Sequence, residues 1–217
     1  VCVSVDGFGD FASAAWGMGR AGCIRIDGRV YFPHSLGIFF SAMTQFVGFP
    51  HFGDEYKVMG LAPYGEPRFT EAMRQLVLVQ SDGSYRLNLK YFRHHTDNVA
   101  YSWNDCAPEV GTLYSNELEE LLGGERKESE PLEQRHRDLA RSAQAMYEEA
   151  FFALLNSLHA NYKCDSLALS GGCAMKWVAN GKVSLKTGFK HVYVPAAAGD
   201  AGGAIGAAFA VWERLRN

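Results

Sequence analysis

The stretch Val1-Cys2-Val3-Ser4-Val5-Asp6-Gly7-Phe8-Gly9-Asp10 is an apolar strand pattern that runs directly into a turn of glycine and aspartate. Two stretches near the other end of the chain, Ser166 to Gly172 and His191 to Gly203, repeat this arrangement. A short strand that ends in a glycine turn lets the backbone approach a phosphate or an adenine closely. The three turns therefore predict a single nucleotide site built at the ends of strands.

The composition is that of a soluble globular protein. The chain has 217 residues, 47% apolar and 21% charged, and its formal net charge of −3 does not favour nucleic acid as a partner. No apolar stretch is long enough to span a bilayer, so no membrane association is expected. The five cysteines form no CxxC pair, which predicts reduced thiols and a cytoplasmic protein. The chain opens inside a strand pattern without a methionine, and we interpret it as a piece of a longer protein.

The first part of the chain reads as an antiparallel meander. Strands are predicted at Val1–Val5, Ala12–Gly17 and Gly22–Asp27, and Asp27-Gly28 is interpreted as a hairpin turn before a further strand at Arg29–Tyr31. A helix follows with Ser35 as its N-cap.

The remainder predicts helices first and then alternating strands and helices. Residues 66–131 read as a helical and irregular insertion that includes a charged loop at 123–130. The other predicted elements are a short helix within Gly53–Gly65, a helix at Asn116–Leu122, a long helix at Leu132–Asn161, strands at Ser166–Leu169 and His191–Val194, and helices at Ala174–Val183 and Ala201–Leu215.

This order of elements predicts an α/β fold of a known kind. Three antiparallel strands followed by helix-strand-helix-strand-helix is the order of one ribonuclease-H-like lobe of the actin, sugar-kinase and Hsp70 (ASKHA) superfamily. That lobe is a mixed sheet with helices on both faces. We therefore predict that residues 1–217 form one such lobe, with the insertion at about 66–131.

Two carboxylates stand at the predicted strand ends. Asp6 is a candidate metal or phosphate-metal ligand, since carboxylate oxygens suit Mg²⁺, Mn²⁺ or Fe²⁺, and Gly7 and Gly9 would face the nucleotide. A plain hairpin turn also prefers these residues. Asp200 is either an ordinary helix N-cap or a second carboxylate ligand. We predict that Asp6 and Asp200 lie close together at one end of the sheet.

Other polar groups allow a functional and a structural interpretation. Gly171 and Gly172 would either line the adenosine side of a cleft or permit tight strand–helix packing. Lys57 would either reach a phosphate or be solvated. A cluster of His94, His95 and Asp97 suits a metal or acid–base chemistry, or a surface loop, and Asp97 is our candidate catalytic base.

Several blocks carry a resemblance to a known family. The segment Asp54-Glu55-Tyr56-Lys57-Val58-Met59-Gly60-Leu61-Ala62-Pro63-Tyr64-Gly65 resembles the NodU/CmcH-type carbamoyltransferases closely. The match continues, in the same order, through Tyr31–Gly37, Gln45–Phe49, His136–Ala140, Ser142–Gln144, Ser170–Ala174, Val178–Gly181 and Pro195–Gly206. Lys176 departs from the family, which usually has asparagine after the glycine turn.

The resemblance implies a reaction and its cofactors. Members of this family make carbamoyl-adenylate from carbamoyl phosphate and ATP in a carboxy-terminal YrdC-like domain. An actin-like unit then transfers the carbamoyl group to a small acceptor that bears a hydroxyl. The resemblance implies a divalent metal, Fe²⁺ with Mg²⁺ or Mn²⁺ as alternatives, held by Asp6, Asp200 and two histidines upstream of Val1. It also implies that Asn180 lies in the nucleotide-binding part.

Two alternatives to an O-carbamoyltransferase stay open at this point. One is a protein of the tRNA threonylcarbamoyl-transfer type, which shares the fold and the metal chemistry. The other is an ASKHA lobe that binds a nucleotide without catalysis. The acceptor and the formation of a homodimer are left undecided by the sequence.

Overall fold

The computed structural model describes residues 1–97, 99, 101–104 and 107–216. Its strands are β1 (Cys2–Gly9), β2 (Ala12–Arg20), β3 (Cys23–Tyr31), β4 (Val77–Val79), β5 (Tyr85–Leu87), β6 (Tyr101–Asn104), β7 (Ala107–Val110), β8 (Ser166–Ser170) and β9 (His191–Tyr193). Its α-helices are α1 (Leu36–Phe46), α2 (Glu55–Leu61), α3 (Thr70–Leu76), α4 (Asn116–Leu122), α5 (Gln134–Tyr162), α6 (Trp177–Asn180), α7 (Val183–Lys186) and α8 (Gly202–Arg216).

The chain divides into two compact units. The first consists of Val1–Gly37 and Phe152–Asn217, and the second of Ile38–Phe151. The predicted single lobe with an insertion at about 66–131 stays a prediction. Within the described part of the chain, no helix is both long and apolar enough to cross a membrane. None of the described cysteines, Cys2, Cys23, Cys164 and Cys173, forms a disulfide, and Cys106 lies outside the described residues.

The first unit contains a five-stranded mixed sheet with the strand order β3-β2-β1-β8-β9. Strand β2 is antiparallel to its neighbours β1 and β3, whereas β1, β8 and β9 run parallel to one another. This arrangement confirms the predicted α/β class. Because β1, β8 and β9 are parallel, their carboxyl ends meet at one edge of the sheet.

Strand β1 shows why this segment forms a half-buried strand. Val1, Val3 and Val5 are buried, while Ser4 and Asp6 on the alternating positions are only partly so. Alternation with a period of two residues places apolar and polar side chains on opposite faces of a sheet. Strand β1 therefore gives one face to the core and turns its polar positions to the other.

The predicted hairpin turn at Asp27-Gly28 is wrong, because β3 runs through both residues. The pairing shifts between Trp16 opposite Gly28 and Gly17 opposite Ile26, which marks an irregularity at Asp27. A Cβ built on Gly28 would lie 2.5 Å from the Trp16 ring. The glycine therefore makes room for an indole rather than for a turn.

The predicted helix at Ala174–Val183 is also wrong as one element. The chain instead forms a 3-10 turn at Gly172–Met175, then α6 and then α7. Lys176, at φ −79° and ψ 75°, is outside the helical region and interrupts the helix. The Asn180 side-chain amide donates to the Ala174 carbonyl at 2.5 Å across this break.

The second unit confirms the short helix after Gly53, the helix at Asn116–Leu122 and the charged loop that follows it. One charge of that loop is buried, however. The Arg126 side chain is 8% exposed and donates to the carbonyls of Val47, Gly48, Glu128 and Glu130. Its guanidinium also lies 5.5 Å from the centre of the Phe49 ring. The charge is thus balanced by backbone oxygens and an aromatic face.

We predict that Gly171→Ala lowers the melting temperature. Gly171 has φ +90°, and a Cβ there would clash with the Val5 carbonyl, so alanine adds backbone strain of about 1–3 kcal/mol and a steric conflict. Gly206→Ala is the matched control, because its Cβ would meet no atom within 4 Å and alanine favours helices. Thermal melts of the two variants should separate them. Equal melting temperatures would contradict the packing described here.

A second prediction concerns alkaline pH. The Tyr162 hydroxyl donates to Asp27 at 2.6 Å, and partial burial together with this hydrogen bond raises the pKa of Tyr162 to about 12. The pKa of a tyrosine in the unfolded chain is about 10. The protonated Tyr162 hydroxyl therefore stabilises the folded state fully below about pH 10. This contribution to the free energy of unfolding is lost as the pH rises from about 10 to about 12.

Ultraviolet titration of tyrosinate absorbance checks this expectation. Tyr162→Phe should remove one late-titrating tyrosine from the curve and flatten the fall in stability between those two pH values. A titration curve that is the same in the variant and in the wild type would contradict the assignment to Tyr162.

Candidate functional site

A cleft of about 920 Å³ opens at the carboxyl ends of the parallel strands of the first unit. Ser4 and Asp6 of β1, Ser170 at the end of β8 and Tyr193 at the end of β9 contribute to its wall. The other side consists of the loop at 195–200 and the first two turns of α8. The volume is that of a small-molecule site.

The position of Asp6 is fixed by its neighbours. Its Oδ1 accepts a hydrogen bond from the Gly7 N–H at 2.7 Å. The Ser35 hydroxyl lies 2.6 Å from the Gly7 carbonyl and 3.1 Å from the Asp6 carbonyl, to which it donates. A Cβ on Gly37 would lie 2.6 Å from the Gly7 nitrogen, so this backbone packs closely against β1. These contacts hold the aspartate at the wall of the cleft.

Asp200 lines the same cleft from the loop before α8. Helix α8 begins at Gly202, and the Gly203 N–H donates to the Asp200 carbonyl at 3.0 Å in the turn that precedes it. The aspartate therefore stands two residues before the first helical residue and is exposed. The structure thus brings Asp6 and Asp200 to one cleft, although they lie at opposite ends of the chain.

The donors of the cleft suit a hard divalent cation only in part. Asp6 and Asp200 are the carboxylates among its lining residues, and none of those residues is a histidine or cysteine. Throughout the described residues, no group of three or more histidine, cysteine, aspartate or glutamate side chains is arranged to hold a metal. Two carboxylates leave most coordination positions to water or to groups from elsewhere. The metal role of both aspartates stays a prediction.

The glycine turn after β8 has a clear packing role. Gly171 lies against the Val5 backbone, and its N–H donates to the Ala198 carbonyl at 2.7 Å, which ties the turn to the loop beside it. A Cβ on Gly172 would lie 2.8 Å from Asp6 Oδ1. A larger residue at 172 would therefore meet the Asp6 carboxylate before it met a ligand. Adenosine contact by this turn stays a prediction.

The other predicted nucleotide-binding residues lie elsewhere than on the cleft wall. Neither Gly7, Gly9 nor Asn180 is among the lining residues, and the Asn180 amide bonds to Ala174 instead. In the second unit, Lys57 pairs with Asp54 at 2.7 Å and lies 5.5 Å from the centre of the Phe49 ring. The hydrogen bond to Asp54 raises the pKa of Lys57, so its charge persists at neutral pH.

The candidate base Asp97 belongs to a turn of the second unit. Arg93 donates to it at 2.7 Å and the Thr96 hydroxyl at 3.1 Å, and these hydrogen bonds lower the pKa of the carboxyl group. A lowered pKa weakens a carboxylate as a general base. His94 and His95 occupy the same turn with their rings edge to face, 5.8 Å apart. Catalysis by Asp97 stays a prediction.

Sequence reasoning missed the aromatic residues of the cleft. Tyr193 and Phe209 line it, and both are well exposed, at 67% and 61%. A signal was present in the spacing of α8: Gly202, Gly206 and Phe209 fall on one helical face, where two positions without side chains precede an aromatic ring.

Comparisons with known proteins identify a family for the chain. Residues 1–209 match the family described as "Carbamoyltransferase N-terminus". The chain is 37% identical over 216 residues to an uncharacterized protein of Synechocystis sp.. This alignment covers 98% of the chain and 33% of that relative. It is 33% identical to nodulation protein NolO of Bradyrhizobium diazoefficiens and 31% identical to nodulation protein NolNO of Sinorhizobium fredii, over 98% of the chain in each case and 34% and 28% of the relatives.

The family match covers nearly the whole chain and therefore assigns the protein to a family of transferases. The chain belongs to the NodU-type carbamoyltransferase family and corresponds to the amino-terminal part of its members. It spans about a third of the length of the curated relatives it matches.

We predict that the 217-residue chain alone binds divalent metal weakly. Two carboxylates supply few ligands, so a dissociation constant of about 10⁻⁴ M or weaker is expected for Mn²⁺. Calorimetric titration measures it, and the double variant Asp6→Asn with Asp200→Asn should abolish the remaining heat. Tight stoichiometric binding, or heat unchanged in the double variant, would contradict the assignment.

Proposed function

We propose that this chain is the acyl-transfer part of an O-carbamoyltransferase. The enzyme would use carbamoyl phosphate and ATP to form carbamoyl-adenylate, and would pass the carbamoyl group to a hydroxyl of a small acceptor. Membership of the family supports the transferase class. The observation that carries the proposal further is the single cleft at the strand ends to which β1 contributes Asp6 and the loop before α8 contributes Asp200.

The fold supports the same proposal. The strand order β3-β2-β1-β8-β9, in which β2 alone runs antiparallel to the other four strands, agrees with a ribonuclease-H-like lobe of the ASKHA type. Folds with parallel strands bind ligands beyond the carboxyl ends of those strands. The cleft stands at that position in the first unit.

The proposed chemistry is the transfer of an acyl group between two oxygens. The acceptor oxygen attacks the carbamoyl carbon, the bond from that carbon to the adenylate oxygen breaks, AMP leaves, and the acceptor proton passes to a base, for which Asp97 is our candidate. A divalent cation bound by Asp6 and Asp200, preferably Fe²⁺, would polarise the carbamoyl carbonyl and offset the charge of the leaving phosphate.

The charges of the cleft indicate how this chain's residues would contribute. Asp6 and Asp200 are negative, and no lysine, arginine or histidine is among the lining residues. Both carboxylates would repel a bare adenylate phosphate. Their role is therefore to hold a cation in place, and the hydrogen bond from Gly7 to Asp6 orients one of them before the substrate arrives.

We also propose that the protein acts in the cytoplasm, because the proposed reaction consumes ATP. The remaining activity belongs to the rest of the parent chain, where a YrdC-like domain would form the adenylate and two histidines would complete the metal site. Adenylate formation and carbamoyl transfer can therefore be measured separately.

We predict that Asp200→Asn in the full-length protein abolishes carbamoyl transfer and leaves adenylate formation intact. The amide keeps the size of the side chain but removes the charge, so transfer should fall by more than about 10²-fold. Radiolabelled carbamoyl phosphate with the acceptor follows transfer, and exchange of pyrophosphate into ATP follows adenylate formation.

The control is Asp10→Asn. Asp10 is an exposed carboxylate in the β1–β2 turn with φ +53°, a conformation that asparagine also tolerates. Both half-reactions should be unchanged in this variant. Loss of adenylate formation in Asp200→Asn, or transfer at the wild-type rate, would show that the assigned role is wrong.

A further inference from the structure

We infer that the second unit carries an oxyanion site, in which Arg137 binds a phosphate or carboxylate group and Tyr64 contacts the rest of a small ligand. The site is a pocket of about 480 Å³ that is lined by Leu61, Tyr64, Gln134 and Arg137. It lies within the second unit and shares no lining residue with the cleft of the first unit. The inference is therefore independent of the proposed function.

Two elements of the second unit form the walls of this pocket. Leu61 ends α2, and Tyr64 ends the 3-10 turn that follows it. On the other side, Gln134 begins α5 and Arg137 lies about one turn further along the helix. A Cβ on Gly65 would clash with the Arg137 carbonyl, so the chain after the 3-10 turn packs against α5 as closely as a backbone allows. The two walls are therefore held at a fixed spacing.

Buried polar side chains of α5 fix the loop that follows the 3-10 turn. The Asp138 carboxyl is 4% exposed and accepts hydrogen bonds from the Glu66 N–H at 2.8 Å and from the Gln134 amide at 2.9 Å. The buried Ser142 hydroxyl accepts one from the Phe69 N–H at 3.0 Å. Buried hydrogen bonds are costly to break, so they hold this backbone in one conformation. The pocket is therefore formed before a ligand arrives, which lowers the cost of binding.

Arg137 has no acidic partner among the described residues. Its side chain is partly buried, and its Nη1 donates to the Gln134 side-chain oxygen at 3.3 Å. The carboxyl group of Asp138, next in the sequence, is bonded to the loop instead, and none of the lining residues is acidic. A guanidinium presents five N–H donors in a planar fork that matches the oxygens of a phosphate or a carboxylate. An oxyanion in the pocket would therefore meet a positive charge with donors still available.

Neighbouring arginines of the second unit are engaged within the protein. Arg126 donates to backbone carbonyls, and Arg135 donates to the last carbonyl of α4 at 2.6 Å. Arg68 pairs with the Asp138 carboxyl at 3.5 Å. These arginines have structural roles, because their donors are directed at groups of the chain itself. Arg137 differs from them, since it faces a pocket and pairs with no carboxylate of the described residues.

Tyr64 and Leu61 indicate what the rest of the ligand is like. The Tyr64 carbonyl accepts a hydrogen bond from the Gln134 amide at 3.2 Å, which holds its backbone, while the residue is 72% exposed. Leu61 adds an apolar surface to the same pocket. A flat or apolar group attached to the oxyanion can lie against both side chains. The site therefore favours an organic phosphate or carboxylate over a bare inorganic ion.

Protection from an arginine reagent tests the inference in the full-length protein. Phenylglyoxal modifies accessible guanidinium groups, and peptide mapping follows each arginine separately. Saturating inorganic phosphate, phenyl phosphate or benzoate should slow the modification of Arg137 by about fivefold or more relative to chloride at equal ionic strength. Arg86 is the matched control, because it is an exposed arginine of the same unit outside the pocket lining, and its rate should not change.

The probes also separate the two kinds of oxyanion. Phenyl phosphate should protect at a lower concentration than inorganic phosphate, and benzoate at a lower concentration than acetate, because their rings contact Tyr64. Whichever of phenyl phosphate and benzoate protects at the lower concentration identifies the group that the site prefers. Tyr64→Ala should raise the phenyl phosphate concentration for half protection by about fivefold and leave that for inorganic phosphate unchanged.

Several outcomes would overturn the inference. These are equal protection by chloride, equal protection of Arg86, an Arg137 that the reagent does not reach in chloride, and half protection by phenyl phosphate that is unchanged in Tyr64→Ala. The protection of Arg137 is measured in the wild type, so it does not depend on the folding of a variant. Carbamoyl transfer is not a readout here, so failure of this site and failure of the proposed function remain distinguishable.

Discussion

The first unit depends on the close approach of the turn after β8 to the backbone of β1. Gly171 lies against the Val5 carbonyl and Gly172 against the Asp6 carboxylate, and neither approach is compatible with a side chain. The same turn bonds to the loop that carries Asp200 through the Ala198 carbonyl. One packing contact therefore sets the spacing between a strand, a turn and a loop. The two carboxylates share a cleft because these three segments are held together.

This contact also explains how much of the site could be predicted from the sequence. The strands of the sheet and the glycine turn after β8 were correctly predicted, because apolar runs that end in glycine are a local signal. The turn predicted at Asp6 to Asp10 was wrong, since β1 continues through Gly9. The placement of Asp6 and Asp200 beside one cleft followed from the rule that parallel strands end at one edge. The reason for Gly172 could not be predicted, since the atom that excludes a side chain belongs to a residue far away in the sequence.

The parts of the fold that differ from local sequence signals have identifiable physical reasons. Asp27-Gly28 carries a turn signal, but the Trp16 ring on the neighbouring strand occupies the space that the glycine leaves. The helix predicted at Ala174–Val183 has a suitable local composition, yet Lys176 adopts a non-helical conformation and the Asn180 amide bonds back across the break. Arg126 looks solvated in a charged loop, but carbonyls from a distant segment bury it. At Gly28 and at Arg126 a tertiary contact overrides a local preference, whereas the hydrogen bond at the Lys176 break lies within the segment itself.

The composition of the cleft wall has a consequence for the entropy of binding. A ligand that orders lysine, glutamine or methionine side chains loses part of its binding energy to their lost rotamers, whereas glycine, alanine and proline have almost no side-chain freedom to lose. The loop at 195–199 consists entirely of such residues. Tyrosine and phenylalanine rotate about only two side-chain bonds. A site of this composition can bind a small ligand with few hydrogen bonds, because little side-chain disorder opposes it.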